Sequence, residues 1–354
     1  MSTSIFKKFI AVFAVIVFLL LAAVSAVVAY IDPFFRYHAP REGFPYVIDS
    51  QLSQNIGMAE RFSYDSVITG SSMTMNFDTL HFTELMQLQP LKLTVNGAYP
   101  EDIRRMLDAA DRGDQPLREA FIALDAATWT APRGEVKYPY PSYLYDRNPF
   151  NDVKYLWNLD VLLEYCLRPL AEREATPLNR IYMTEWEDDL YYTLTWILDH
   201  YEESPKEPAE TPADAFLADT KRNLEEVLLP FIDAHPETRF TFFYAPYSIL
   251  FWHNVVQENH LEATLSQEQL IAETLLTRPN VRIFQFQEQK EIITNMDGGY
   301  MDEIHFRPEI NRYMVECFAS DTCRMHDAGE MQTSLDRLRE MIGSYDYASL
   351  LMRK

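Results

Sequence analysis

Three cysteines in 354 residues are too few for a disulfide scaffold, although Cys317 and Cys323 lie close enough in sequence to pair in an oxidising compartment. No CxxC pair, HExxH or other ligand spacing occurs, so nothing nominates a structural or catalytic metal, and no motif calls for a cofactor. Positive charge is also scarce: 31 Lys and Arg stand against 53 Asp and Glu, a net charge of -22. Such a surface repels polyanions and excludes nucleic acid as a partner, while serving solubility more readily than recognition. Internal repeats and low-complexity blocks are absent as well.

What is present begins at the N-terminus. Residues 9–31 are almost wholly Phe, Ile, Val, Leu and Ala, with Ser25 and Tyr30 the hydroxyl-bearing exceptions. At about 1.5 Å per residue the run suffices to cross a hydrocarbon core of about 30 Å. Lys7 and Lys8 directly precede it, which predicts a cytoplasmic N-terminus and an exported remainder. Ala23-Val24-Ser25-Ala26 offers small residues of the kind a signal peptidase accepts, so a cleaved leader is the rival reading; the length of the apolar run favours a retained anchor. Either way the bulk of the chain leaves the cytoplasm. The expected organisation is a cytoplasmic stub and transmembrane anchor over 1–31, a connector over 32–46, an α/β domain over 47–325, and a helical tail over 326–354. His38, beside Arg36 and Tyr37 in the connector, suits the headgroup zone.

The remaining 320 or so residues, in a chain 47% apolar, are enough for a core. Short apolar runs at 66–69, 91–95, 120–124, 239–245 and 281–286 read as five strands. Helical patterns around 78–86, 100–112 and 265–276 fall between most of them. This alternation predicts a doubly wound, mainly parallel five-stranded sheet with helices on both faces, whose site lies beyond the carboxyl ends of the strands. A segment at about 133–219 interrupts the pattern with Tyr138, Tyr140, Tyr143, Trp157, Trp186, Tyr191, Tyr192 and Trp196. It reads as an aromatic-rich insertion over the strand ends, its rings either lining a cleft for sugar or lipid or forming the insertion's own core.

Two clusters fall where chemistry is expected. Thr69-Gly70-Ser71-Ser72-Met73 follows the first strand, and Tyr300-Met301-Asp302-Glu303-Ile304-His305-Phe306 follows the last. A serine hydroxyl needs a histidine to take its proton, and that histidine needs a carboxylate to hold its tautomer. Three residues separate Asp302 from His305, so one helical turn is expected to bring them to one side. Gly70 permits a sharp turn at the strand end. Tyr247 and His253 stand near the end of the fourth strand, where each either meets a ligand or packs.

With these blocks in place, the chain resembles the SGNH (GDSL-type) hydrolases and acyltransferases, in a divergent membrane-anchored branch acting on cell-surface polymers. The resemblance implies a flavodoxin-like SGNH fold. It makes Ser72 of Gly70-Ser71-Ser72 the nucleophile, with Ser71 the neighbouring competitor, and Asp302 and His305 the remaining catalytic residues. Gly97, in Val95-Asn96-Gly97-Ala98, matches the oxyanion glycine of the second block, with the Ser72 amide as its companion. The third block departs from the pattern: an asparagine is expected to donate to the oxyanion, and this chain has Asp125 after Ala123-Leu124. An ionised Asp125 repels an oxyanion, so it is protonated, or holds a neighbouring loop, or leaves the donation to Asn96. The resemblance implies a serine esterase or O-acyltransferase working on a surface glycan or other acylated substrate. The alternatives are an inactive surface protein that binds glycan and an anchor subunit for an integral-membrane acyltransferase.

Overall fold

The computed structural model describes residues 3–113, 116–125, 128–173, 175–183 and 189–353. The chain divides into two compact units, one formed by residues 1–62 with 139–178 and the other by residues 63–138 with 179–354.

The first unit opens with α1 (Thr3–Ile31), whose stretch Ile5–Ile31 is long and apolar enough to cross a bilayer. The helix stops at Asp32, which takes a left-handed φ of 52°. Its fully buried carboxylate accepts the backbone N–H groups of Arg36, Tyr37 and His38 at 3.0, 2.6 and 2.9 Å, and the Tyr155 hydroxyl at 2.9 Å. The connector is therefore an ordered turn wound around one anion, since a buried carboxylate is tolerated only where donors surround it. Helix α2 (Gln51–Arg61) follows. Residues 139–178 of the insertion join this unit through Tyr155, whose oxygen also accepts the Phe34 N–H at 3.1 Å, and through an Arg36–Asp152 ion pair at 3.2 Å.

The second unit is built on β1 (Ser66–Gly70), β2 (Pro90–Thr94), β3 (Glu119–Ala123), β4 (Arg239–Tyr244), β5 (Val281–Gln285) and β6 (Arg324–Met325), in the order β2-β1-β3-β4-β5-β6. Neighbours from β2 to β5 pair in parallel, and β6 runs antiparallel to β5, with Ile283 opposite Met325. The expected five-stranded sheet is thus corrected to a mixed six-stranded one. A two-residue edge strand beginning with arginine has no apolar run to announce it. The five parallel strands were legible because strands covered on both faces read as continuous apolar runs.

The connecting helices are α3 (Thr79–Met86), α4 (Pro100–Ala110), α5 (Leu229–Ala234), α6 (Ile249–Gln257), α7 (Leu261–Leu275), α8 (Pro308–Ser320) and α9 (Ala328–Ser344). Asp78 caps α3 by accepting the Leu80 N–H at 2.9 Å. Pro100 opens α4, and Asp102 reaches back to the Tyr99 N–H at 2.9 Å. On one face of the sheet, Phe318 of α8 meets Phe121, Phe243 and Phe284 with ring centroids 5.4, 5.5 and 5.0 Å apart, and Phe82 of α3 meets Phe121 at 4.8 Å. The alternate residues of β4 point the other way. Phe240 packs on Phe231 of α5 at 6.1 Å, and the Tyr244 hydroxyl donates to the Glu268 carbonyl of α7 at 3.1 Å. Both faces are covered, as a doubly wound sheet requires.

The insertion's later part, from Asn179, belongs to this sheet unit, and its described residues include short turns and the helix Leu194–His200. Trp196 stacks on His200 at 4.0 Å and meets Tyr191 edge-on at 4.8 Å, so these rings pack on one another. Trp186 lies outside the described residues. Cys317 and Cys323 are thiols with sulfurs 3.9 Å apart, a contact distance well beyond the roughly 2.05 Å of a disulfide.

Candidate active site

Strand β1 ends at Gly70 with φ 142°, a conformation that side chains rarely adopt, and a Cβ there would lie 2.7 Å from the Ala123 Cβ on β3. Glycine is demanded on both counts. The chain then makes a 3-10 turn, Ser72–Thr74, that presents Ser72 at the carboxyl end of the sheet. Neighbouring side chains fix this turn from below. The Thr74 hydroxyl donates to the Ser71 carbonyl at 2.8 Å and meets the Thr94 hydroxyl at 2.7 Å, while the Lys92 ammonium of β2 donates to the Met75 carbonyl at 2.7 Å. Lys92 is fully buried, and that desolvation pushes its pKa down to about 7 against the pull of Asp78.

The second cluster meets the first across 233 residues of sequence: Ser72 Oγ is 2.9 Å from His305 Nε2. On the far side of the ring, Nδ1 lies 2.6 Å from Asp302 Oδ2. Asp302 Oδ1 accepts the Ile304 and His305 N–H groups at 2.8 and 2.6 Å. Burial pushes the Asp302 carboxyl up, but the hydrogen bonds and charge of His305 with these two amides outweigh it, and the net shift is downward. An ionised Asp302 holds the proton on Nδ1 and leaves Nε2 to accept from the serine.

The pair does not sit on a helical turn as expected. Residues 301–304 are bends, and α8 begins only at Pro308. The loop is closed by a bridge between Tyr300 and Phe306 and by the Met301 N–H on the His305 carbonyl at 3.0 Å, so Asp302 approaches the ring by folding back on its own amides. Two anchors tie the loop to the β4–α6 turn. The Tyr300 hydroxyl donates to the Pro246 carbonyl at 2.6 Å, and Ser248 donates to the Glu303 carbonyl from its hydroxyl at 2.7 Å and its N–H at 3.1 Å. Sequence reasoning missed both anchors. Ser248 carried a signal, being a serine placed to cap α6 just after Pro246; Tyr300 carried none.

The remaining site residues divide. Gly97, with φ 62°, and the exposed Asn96 leave β2 beside the Ser72 turn, because Gly70 and Thr94 are register partners in adjacent strands. Lys137, unforeseen, lies against Gly97 and places its ammonium 5.2 Å from the Tyr99 ring centroid. Asp125 leaves β3 on the other side of β1. The Tyr247 hydroxyl donates to it. Burial is the largest influence on Asp125 and raises its pKa against the opposing pull of Tyr247, Ser71 and His305. Tyr247 also packs against Phe251, tilted, with ring centroids 4.4 Å apart. His253 sits within α6, meeting the Tyr201 hydroxyl at 3.0 Å through Nδ1 and stacking on Tyr347 at 4.5 Å, so its contacts lie in packing rather than with Ser72, Asp302 or His305.

A cavity of about 340 Å³ is lined by Asp78 and His81, which follow the Ser72 turn, by Arg307, which follows His305, and by Arg180 and Tyr192 of the insertion. Arg307 lies 4.5 Å above the Tyr192 ring. A larger cavity of about 550 Å³ takes its lining from Arg118, Glu119, Arg239 and Asn280 at the amino ends of the strands, the opposite end of the sheet from Ser72, and has no part in this chemistry.

No family model, curated protein or solved structure matches this chain. The geometry stands on its own.

Proposed function

We propose that the chain is a membrane-anchored, extracytoplasmic serine esterase or O-acyltransferase of the SGNH type, acting on acyl esters of a surface glycan. The observation that carries this reading is the continuous relay from Ser72 through His305 to Asp302, assembled from loops 233 residues apart. The sheet order β2-β1-β3-β4-β5-β6 supports it, since the five parallel strands follow the order expected of a flavodoxin-like winding and ligands of such sheets bind beyond the carboxyl ends of the strands.

Ser72 Oγ attacks the acyl carbonyl carbon while His305 Nε2 takes its proton, and Asp302 steadies the imidazolium that forms. The Ser72 and Gly97 amides stabilise the negative oxygen. Collapse expels the alcohol, which recovers the proton from His305, and leaves an acyl-serine. Water completes a hydrolysis and a sugar hydroxyl completes a transfer, with His305 now acting as the base.

Turnover of p-nitrophenyl acetate by the full chain in detergent tests the proposal. Ser72→Ala and His305→Ala are each expected to lower it by about a million-fold, as removal of the serine or histidine of a triad does, with Ser71→Ala remaining active. Equal turnover by wild type and Ser72→Ala contradicts it. Asp125 favours a second reading, a glycan-binding protein without activity, because a buried carboxyl stands where the resemblance calls for an oxyanion donor. A folded chain that turns over no ester supports that second reading.

A further inference from the structure

The first unit carries a row of exposed apolar side chains beside α1: Phe150, Trp157, Leu159, Leu163, Leu167 and Leu170. The four leucines recur at helical spacing along the π-helical run Val161–Leu167, its lead-in, and the helical turn Arg168–Glu172 that continues it. A second stripe lies next to them, where Glu164, Arg168 and Glu172 form ion pairs at 2.9 and 3.6 Å. A third, with Val161, Cys166 and Pro169, is buried in the unit. Two exposed stripes of opposite character, apolar and charged, are what a helix at a membrane interface presents.

Depth along α1 says which lipids the apolar stripe meets. From Phe9 to Leu20 the helix is exposed on every side, and those 12 residues span about 18 Å at 1.5 Å each. A hydrocarbon core of about 30 Å then requires about eight residues more, 21–28, to lie within it. That is the stretch on which the segment packs: the Trp157 Nε1–H donates to Ser25 Oγ at 2.8 Å, and Val28 is fully buried. We infer that residues 150–170 are seated in the leaflet that α1 crosses last, with Trp157 and the leucines among acyl chains and the Glu164–Arg168–Glu172 stripe at the headgroups. The inference rests on α1 spanning the bilayer and makes the membrane contact two-part, one helix across and one segment embedded beside it.

The test uses the full chain reconstituted in phosphatidylcholine and phosphatidylglycerol vesicles whose acyl chains are brominated, since bromine quenches an indole it touches. The emission lost in Trp157→Phe isolates this residue from the other tryptophans. That emission is expected to be quenched by brominated lipid and insensitive to aqueous iodide. Leu159→Glu, Leu163→Glu and Leu167→Glu together, all at exposed positions, are expected to reverse both responses. Quenching by iodide and not by bromine, in a chain that still resists alkaline extraction, overturns the embedded segment while leaving the span intact. Protection from both quenchers, as by a protein neighbour, also overturns it. Release of the chain by alkaline carbonate removes the span, and the inference with it.

Discussion

Asp125 sets the expected dependence of rate on pH. Burial holds its carboxyl protonated beyond the usual carboxylate range, and a neutral carboxyl can donate toward an oxyanion. As pH rises through that raised value the group ionises and opposes the developing charge, so kcat/KM falls on the alkaline side. Asp125→Asn keeps a neutral donor, and its profile is expected to lose this alkaline fall while keeping the acid limb. Tyr247→Phe removes a hydrogen bond that favours the charged form and is expected to move the fall to higher pH. Both follow from kcat/KM measured across pH; an unchanged alkaline limb in Asp125→Asn removes Asp125 from the mechanism. Asp302→Asn leaves the ring contact but favours the wrong tautomer, with an expected loss of about 10,000-fold in kcat.

Among the elements, the loop that carries Asp302 and His305 is held by Tyr300 and Ser248, side chains outside the proposed relay. Ser248→Ala removes the hydroxyl bond to the Glu303 carbonyl and the cap of α6, and is expected to cost about 1 kcal/mol of stability. A positioning role adds a drop in kcat of about tenfold with KM little changed, since a loop displaced by a fraction of an ångström misaligns the proton transfer. A fall in stability alone makes Ser248 merely structural. Lys92 gives a second element-scale prediction. Below pH 7 both folded and unfolded chains carry its proton and the burial cost is fully present. Between about 7 and its ordinary value of 10.5 the folded chain releases the proton first, so stability rises with pH. Thermal unfolding at pH 6 and pH 9 is expected to show wild type gaining on Lys92→Met as pH rises.

These elements also show what a sequence can carry. The strands and the Gly70-Ser71-Ser72 and Asp302/His305 blocks were readable because apolar runs and short spacings are local properties. The helical turn assumed for Asp302 and His305 was wrong because Pro308 starts the helix later and the Tyr300–Phe306 bridge shapes the loop instead. A lysine inside an apolar run gave no hint that its ammonium would find the Met75 carbonyl. Lys137 beside Gly97 and Arg307 above Tyr192 arise from the fold alone.

Taken whole, the chain is acidic, with a net charge of -22, and has near its N-terminus a helix long and apolar enough to cross a membrane, by which we propose it is tethered. Lys7 and Lys8 before the helix lead us to propose that the bulk of the chain faces away from the cytoplasm, where a tether concentrates an enzyme at surface polymers. Protease added outside intact cells is expected to digest all but the anchor; a protected chain reverses the orientation. Whether Ser72 is the activated nucleophile we propose is read from mass mapping of the adduct that a fluorophosphonate forms on the full chain. One adduct is expected, on Ser72, and it is expected to disappear in His305→Ala; a folded chain that forms no adduct, or carries it on another residue, rules that nucleophile out.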